Sequence, residues 1–152
     1  LPVPDFPEDG AVRADRIVVR KADRTLRLYR DNIAVRTYSI ALGGGGLAPK
    51  RREGDRRTPE GIYRIEGRNP RSAYHLSLRI SYPAARDIES ARKRGVPPGS
   101  DIMIHGLPNG KGWFGENHRK FDWTDGCIAV TDAEIEEIWA AVPDGMPIEI
   151  LP

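Results

Sequence analysis

A mainly β, α+β domain carrying two short helices is the fold class this sequence predicts, and three observations predict it. Apolar residues alternate with polar ones at period two over several short runs. Gly, Pro, Asn and Asp punctuate the chain at short intervals, and only two stretches combine helical spacing with start and stop signals. The helices do not alternate regularly with the strands, which argues against a parallel doubly wound sheet.

In chain order, residues 1–14 carry Pro2, Pro4 and Pro7 and little periodicity, so they read as an extended lead-in to a domain over 15–152. A start at Leu1 fits a chain processed after a signal peptide or membrane anchor, so export is an expectation. Residues 16–20, 25–30 and 33–40 read as a meander of three strands, turned at Ala22-Asp23-Arg24 and at Asp31-Asn32, a pair that tolerates positive φ. Gly43 to Gly46 could suggest a phosphate cradle, but no Lys-Ser or Lys-Thr pair follows, and a flexible connection is expected. Thr58-Pro59-Glu60-Gly61 turns into a strand at 62–65, and 74–80 alternates as another, with His75 a structural or surface residue.

Pro83 can open a helix reaching Arg94, with Ala84, Ala85, Ile88 and Ala91 on one face and Gly95 as its stop. Thr131-Asp132-Ala133-Glu134 is a capping box ahead of Ile135, Ile138, Trp139 and Val142 at helical spacing. Trp139 is therefore a core residue of the second helix. Residues 147–151 return as the last strand.

Composition narrows the function. With 152 residues the chain suits one domain, and no run of apolar residues is long enough to span a bilayer. The net charge of +2 hides an asymmetry, because residues 1–57 are rich in Lys and Arg while residues 121–152 contain neither. The arginines of Lys50-Arg51-Arg52 and Arg56-Arg57 are not interleaved with aromatics, which disfavours nucleic acid. His105, His118, Cys127, Asp122 and Asp125 include metal-ligand types, yet no CxxC or HExxH spacing supports zinc, and no cofactor is expected.

The chemistry concentrates in Ile104-His105-Gly106 and Thr124-Asp125-Gly126-Cys127-Ile128. The apolar run 101–105 ends in a histidine where a loop opens, and the single cysteine follows a glycine ahead of Ile128-Ala129-Val130. One cysteine cannot form an internal disulfide, and an exported protein needs a reason to keep a free thiol. A thiol near its reference pKa of about 8.5 is mostly protonated at neutral pH and needs a base, which His105 can supply. The ring in turn needs an acceptor to hold one tautomer, and a backbone carbonyl such as that of Gly106 can serve. The amides of Gly126 and Cys127 are candidates for an oxyanion hole. In the Gly-bounded loop 111–120, Trp113, Phe114 and His118 could line a groove. Thr124 and Asp125 are further groove candidates, and Asp122 and Trp123 are expected to support the cysteine loop.

HGLPNG at 105–110 and DWTDGCIAV at 122–130 resemble the L,D-transpeptidase catalytic domain, or YkuD domain, whose pattern is His-Gly, a variable loop, then Ser or Thr, any residue, Gly, Cys. The TPEGIY turn at 58–63 and the N-terminal meander are similar too, so the resemblance covers about residues 15–151. It implies a β-sandwich-like fold with the cysteine in a groove, and an exported periplasmic or wall-associated enzyme acting on peptidoglycan stem peptides. It further implies Cys127 as nucleophile, His105 as base, Gly106 as the carbonyl that orients the ring, and carbapenem-type β-lactams as covalent inhibitors. Many members have His where this chain has Asp125 and Arg where it has Ala129, and the DWTDGCIAV version resembles the YafK-type branch.

The expected activity is a cysteine acyl transfer that cross-links stem peptides through a thioester. The alternatives are hydrolysis of stem peptides or of protein links to the wall by the same thiol, and a non-catalytic peptidoglycan-binding module.

Overall fold

The structure, a computed structural model, describes residues 12–152. Most of the proline-rich lead-in therefore lies outside the described residues. At its end Val12 packs on the core, and buried Ala14 donates its amide to the Ala141 carbonyl at 3.0 Å.

The meander forms from β1 (Arg16–Arg20), β2 (Thr25–Arg30) and β3 (Ile33–Ser39). Asp31 and Asn32 both take positive φ, 51° and 65°, so the Asp-Asn pair closes the β2–β3 hairpin with Arg30 opposite Ile33. Next come β4 (Gly61–Ser72), β5 (His75–Ile80) and α1 (Ala85–Lys93). The strand expected at 62–65 runs on to Ser72 because two register shifts carry the pairing past Gly67 and past Pro70, which has no N–H to give a partner. Within α1 only Ala91 is buried and Ile88 is exposed, so the expected apolar face is narrower than its sequence.

The remaining elements are β6 (Met103–His105), β7 (Ile128–Ala129), α2 (Asp132–Ala141) and β8 (Pro147–Leu151). The capping box of α2 is made in both directions: Glu134 N–H to Thr131 Oγ1 at 3.2 Å and Thr131 N–H to Glu134 Oε1 at 2.8 Å. Residues Gly112–Lys120, within the Gly-bounded loop expected at 111–120, form two short 3-10 turns that meet at Gly115, whose φ is 52°.

All eight strands join one mixed sheet in the order β3-β2-β1-β8-β4-β5-β6-β7. The pairs β1–β8 and β6–β7 are parallel and the others antiparallel. The last strand thus enters the middle of the sheet and fastens the meander to the half that carries the histidine. Just past β3, Ala41 bridges Ala129 and Gly43 bridges Thr124, so the two edges of the sheet are drawn together. Apolar side chains fill the enclosed space: Leu26, Leu28, Ile65, Leu78, Ile104 and Ile128 are fully buried, and α2 covers β5 and β6 with Ile135, Ile138 and Trp139. Each such side chain contributes about 1.5–3 kcal/mol on burial. Trp139 is core as expected, with the Arg68 guanidinium 4.7 Å over its ring.

The glycine run is a close-packed seam and not a slack connection. A Cβ on Gly43 would lie 2.2 Å from the Arg56 carbonyl oxygen, and one on Gly45 would lie 2.0 Å from that of Asp55. The basic loop presses against it because Lys50 and Asp55 are tied inward, while Arg51, Arg52 and Arg56 stay exposed. Lys50 Nζ and Asp55 Oδ1 pair at 2.9 Å with both side chains buried, and the Asp55 carboxylate also accepts the amides of Arg51, Arg52 and Arg57. Buried Lys21 donates to the Thr58 carbonyl at 2.6 Å and to Glu60 at 3.2 Å, pinning the turn that leads into β4.

Candidate active site

Strand register brings the histidine and the cysteine to one face. Ile104 pairs with Ile128 and His105 with Ala129 across β6 and β7, and both isoleucines point into the core. Pleat alternation then turns His105 to the other face, and Cys127, two residues before Ala129, leaves the sheet on that same side. The residues that hold this geometry are small or polar by necessity. Gly126 has φ 131°, and a Cβ there would lie 2.7 Å from the Arg57 carbonyl oxygen. Thr58 Oγ1 donates to the Gly126 carbonyl at 2.9 Å and accepts the Gly43 amide at 3.2 Å, so one hydroxyl joins the TPEGIY turn, the glycine seam and the cysteine loop.

His105 is 3% exposed. Its Nδ1 lies 2.6 Å from the Gly106 carbonyl oxygen, which can only accept, so Nδ1 carries the proton and Nε2 keeps its lone pair. Burial pulls its pKa below the ordinary imidazole value, against the opposing effect of the Gly106 bond, and the ring rests neutral. Gly106 must be a glycine, since a Cβ would lie 2.7 Å from Asp132 Oδ1 and 3.0 Å from the Tyr74 carbonyl oxygen. The same Asp132 oxygen accepts the Leu107 amide at 2.9 Å, fixing the chain as it leaves the histidine.

Cys127 is half-buried, and its thiol donates to the Asp101 carbonyl at 3.4 Å and not to His105. Burial pushes the thiol up to about 11; a bond from the Met103 amide opposes this, and the Asp101 and Asp125 carboxylates add to it. The resting pair is therefore a neutral thiol and a neutral imidazole, not an ion pair. The two amides expected to face an oxyanion are not equivalent. Gly126 N–H donates to Thr124 Oγ1 at 3.1 Å, while Cys127 N–H has no acceptor among the described residues.

With this geometry in place, residues 14–150 match the L,D-transpeptidase catalytic domain, YkuD. The chain belongs to the L,D-transpeptidase catalytic domain family. It is 33% identical over 133 residues to YafK of Escherichia coli (strain K12), covering 83% of this chain and 46% of that protein. The crystal structure of the helical cell shape determining protein Pgp2 from Campylobacter jejuni superposes with a TM-score of 0.69 at 26% identity, over 89% of this chain and 46% of that one. The LD transpeptidase LdtMt1 in complex with imipenem shares the fold, with a TM-score of 0.58 at 18% identity, over 90% of this chain and 58% of that one. The chain thus spans less than half the length of YafK and of Pgp2. These likenesses agree with the expected mainly β, α+β class, here an eight-stranded mixed sheet with helices.

In this L,D-transpeptidase domain the other expected site residues separate by position. Thr124 is 4% exposed and works within the cysteine loop, its Oγ1 donating to the Cys127 carbonyl at 2.7 Å, so it does not open onto a groove. Asp125 projects into solvent, where its carboxylate meets Arg56 at 3.0 Å. Asp122 accepts from Arg24 at 2.8 Å and from the Leu42 amide at 3.1 Å, anchoring the loop to the β1–β2 turn and the chain after β3. Trp113 is 75% exposed and stacks on Phe114 at 4.4 Å. His118 and Trp123, by contrast, line an apolar pocket of about 220 Å³ with Leu107, Pro108, Phe114 and Phe121.

Among the described residues no group of three or more His, Cys, Asp or Glu side chains is placed to hold a metal ion, and no helix is long and apolar enough to cross a membrane. Sequence reasoning missed Tyr74, whose ring stacks on His105 at 4.3 Å, and Asp101, whose carbonyl accepts a hydrogen bond from the thiol. Neither position carries a local signal, because each acts through a contact made across the sheet. Thr58 lay inside the quoted TPEGIY turn, and its invisible part was the partner of its hydroxyl.

Proposed function

We propose that this chain is a cysteine acyl transferase that acts on peptidoglycan stem peptides outside the cytoplasmic membrane, with Cys127 as nucleophile and His105 as base. The observation that carries the reading is the 2.6 Å bond from His105 Nδ1–H to Gly106, which leaves a bare Nε2 on the face of the sheet that bears the thiol. Family membership supports the transpeptidase chemistry, and the likeness to a cell-shape protein supports a cell-wall substrate.

Because both partners rest neutral, the proton moves as the sulfur attacks. Cys127 Sγ bonds to the amide carbon, its proton passes to His105 Nε2, and the carbonyl electron pair shifts to an oxyanion that Cys127 N–H can receive. Collapse breaks the C–N bond, the leaving amine takes the proton from Nε2, and a thioester remains. The amine of a second stem then attacks the thioester carbon and gives its proton to His105; collapse breaks the C–S bond, the departing sulfur takes that proton back from His105, and the cross-link forms with the neutral pair restored.

The test is incubation of the wild type, Cys127→Ala and His105→Ala with purified muropeptides, followed by intact-mass spectrometry and chromatography of the products. A covalent adduct and cross-linked dimers in the wild type alone are expected, with a carbapenem such as imipenem giving a second adduct on the same thiol. Shortened or released stems in place of dimers would make water the acceptor and the protein a hydrolase. Binding to sacculi without any adduct would leave a non-catalytic module and overturn the proposal.

A further inference from the structure

One hydrogen bond to its own neighbouring carbonyl does not by itself stop an imidazole from tilting. Two aromatic rings also pack against His105. Tyr74 stacks on the ring at 4.3 Å and 27°, and Trp123 leans on it at 5.9 Å and 57°. Trp123 is itself fixed, because its Nε1–H donates to His118 Nδ1 at 3.1 Å, with the two rings edge to face at 6.2 Å. An indole nitrogen can only donate, so His118 Nδ1 must hold a lone pair and the His118 proton must sit on Nε2. That nitrogen is buried and finds no acceptor among the described residues. An orphaned buried donor is destabilising, yet the other tautomer would remove it only by setting N–H against N–H. The arrangement thus keeps the Trp123 bond at the expense of the rest of the His118 ring.

We propose that His118 is a positioning residue for the acyl transfer: by accepting the indole proton it locks Trp123 against the His105 ring and keeps that ring's Nε2 aimed at the thiol. The inference rests on the reading of His105 as the base. It requires His118 to stay neutral while His105 is cationic. The surroundings favour this: burial first, then Arg119 and His105, pull His118 down to about 4. Arg119 is itself held by Glu116 and Glu134, and Lys111 borders the same pocket.

The experiment compares His118→Phe, which loses the acceptor, with His118→Asn, whose side-chain oxygen can stand close to the place of Nδ1. In the muropeptide assay His118→Phe is expected to lower kcat by about tenfold or more with KM nearly unchanged, and His118→Asn to recover most of that loss. Trp123→Phe is expected to match His118→Phe, and the double variant to be no worse than either single one. Unchanged kcat in His118→Phe overturns the proposal, and so does a rise in KM alone, which would mean that His118 touches substrate.

Nitrogen-15 spectra of the wild-type protein give a readout that needs neither substrate nor a variant that folds. His118 is expected to carry its proton on Nε2, and the Trp123 indole signal to move as His118 is titrated. A proton on Nδ1 sinks the idea. If the spectra agree while the wild type forms no thioester, the acyl-transfer reading fails on its own, and the His118–Trp123–His105 contact still stands.

Discussion

Thr124 Oγ1 donates to the Cys127 carbonyl at 2.7 Å while accepting the Gly126 amide at 3.1 Å, so a single buried hydroxyl closes the turn that presents the thiol. Thr124→Val keeps the shape and removes both bonds, leaving two backbone groups without partners. A loss of about 2 kcal/mol of stability is expected, together with slower adduct formation, whereas Thr124→Ser should keep both properties. Denaturant midpoints and timed mass spectrometry would check this; a Val variant as stable and reactive as wild type would make the hydroxyl incidental.

The neutral resting pair has a pH signature. With Cys127 pushed up to about 11, its alkylation by iodoacetamide should be slower at pH 7 to 8 than that of a free thiol, and should still be rising at pH 10. The sign for stability follows from the same shift. A thiol whose folded pKa is raised stabilises the fold below its unfolded value, near 8.5, and that contribution is lost as pH climbs toward 11. Cys127→Ala should remove this alkaline slope. An alkylation rate that levels off below pH 8 would instead indicate a thiolate–imidazolium pair.

Asp55 behaves in the opposite direction. Burial pushes its carboxyl up, but the amides of Arg51, Arg52 and Arg57 and the Lys50 ammonium outweigh it and hold the group at about 2. A carboxylate lowered in this way stabilises the fold above its unfolded pKa of about 3.9, and the contribution fades as pH falls toward 2. Asp55→Asn should therefore narrow the difference in unfolding midpoint between pH 7 and pH 3. It should also loosen the 55–57 backbone that backs Gly43, Gly45 and Gly126, measurable as faster amide exchange there. Equal pH sensitivity in variant and wild type would exclude Asp55 from acid unfolding.

What was legible in the sequence is what acts over a few residues. The Asp31-Asn32 turn, the Thr131–Glu134 capping box and the alternation of β2 depend only on backbone preferences and on spacing within one element, and each is present in the fold. Of the two glycines beside the histidine and the cysteine, Gly126 was legible in the same way, because its φ of 131° favours glycine, whereas Gly106 is required by the approach of Asp132 and Tyr74 from elsewhere in the fold. The reach of β4 past Pro70 was not, because a register shift is set by the partner strand. Nor was the packing of Gly43 and Gly45, since the atoms that forbid a side chain there belong to residues 55 and 56.

By itself, then, the sequence determined the fold class, the elements and the residue types able to do thiol chemistry, since these follow from periodicity, capping and the scarcity of cysteine and histidine. Only the tertiary structure decided that His105 and Cys127 leave the sheet on one face, that Gly126 has no amide to spare, that Trp113 stands in solvent, and that His118 reaches the base through Trp123. The physical reason is that register, burial and hydrogen-bond partnership are properties of pairs of segments, and each pair here is joined by contacts distant in the chain.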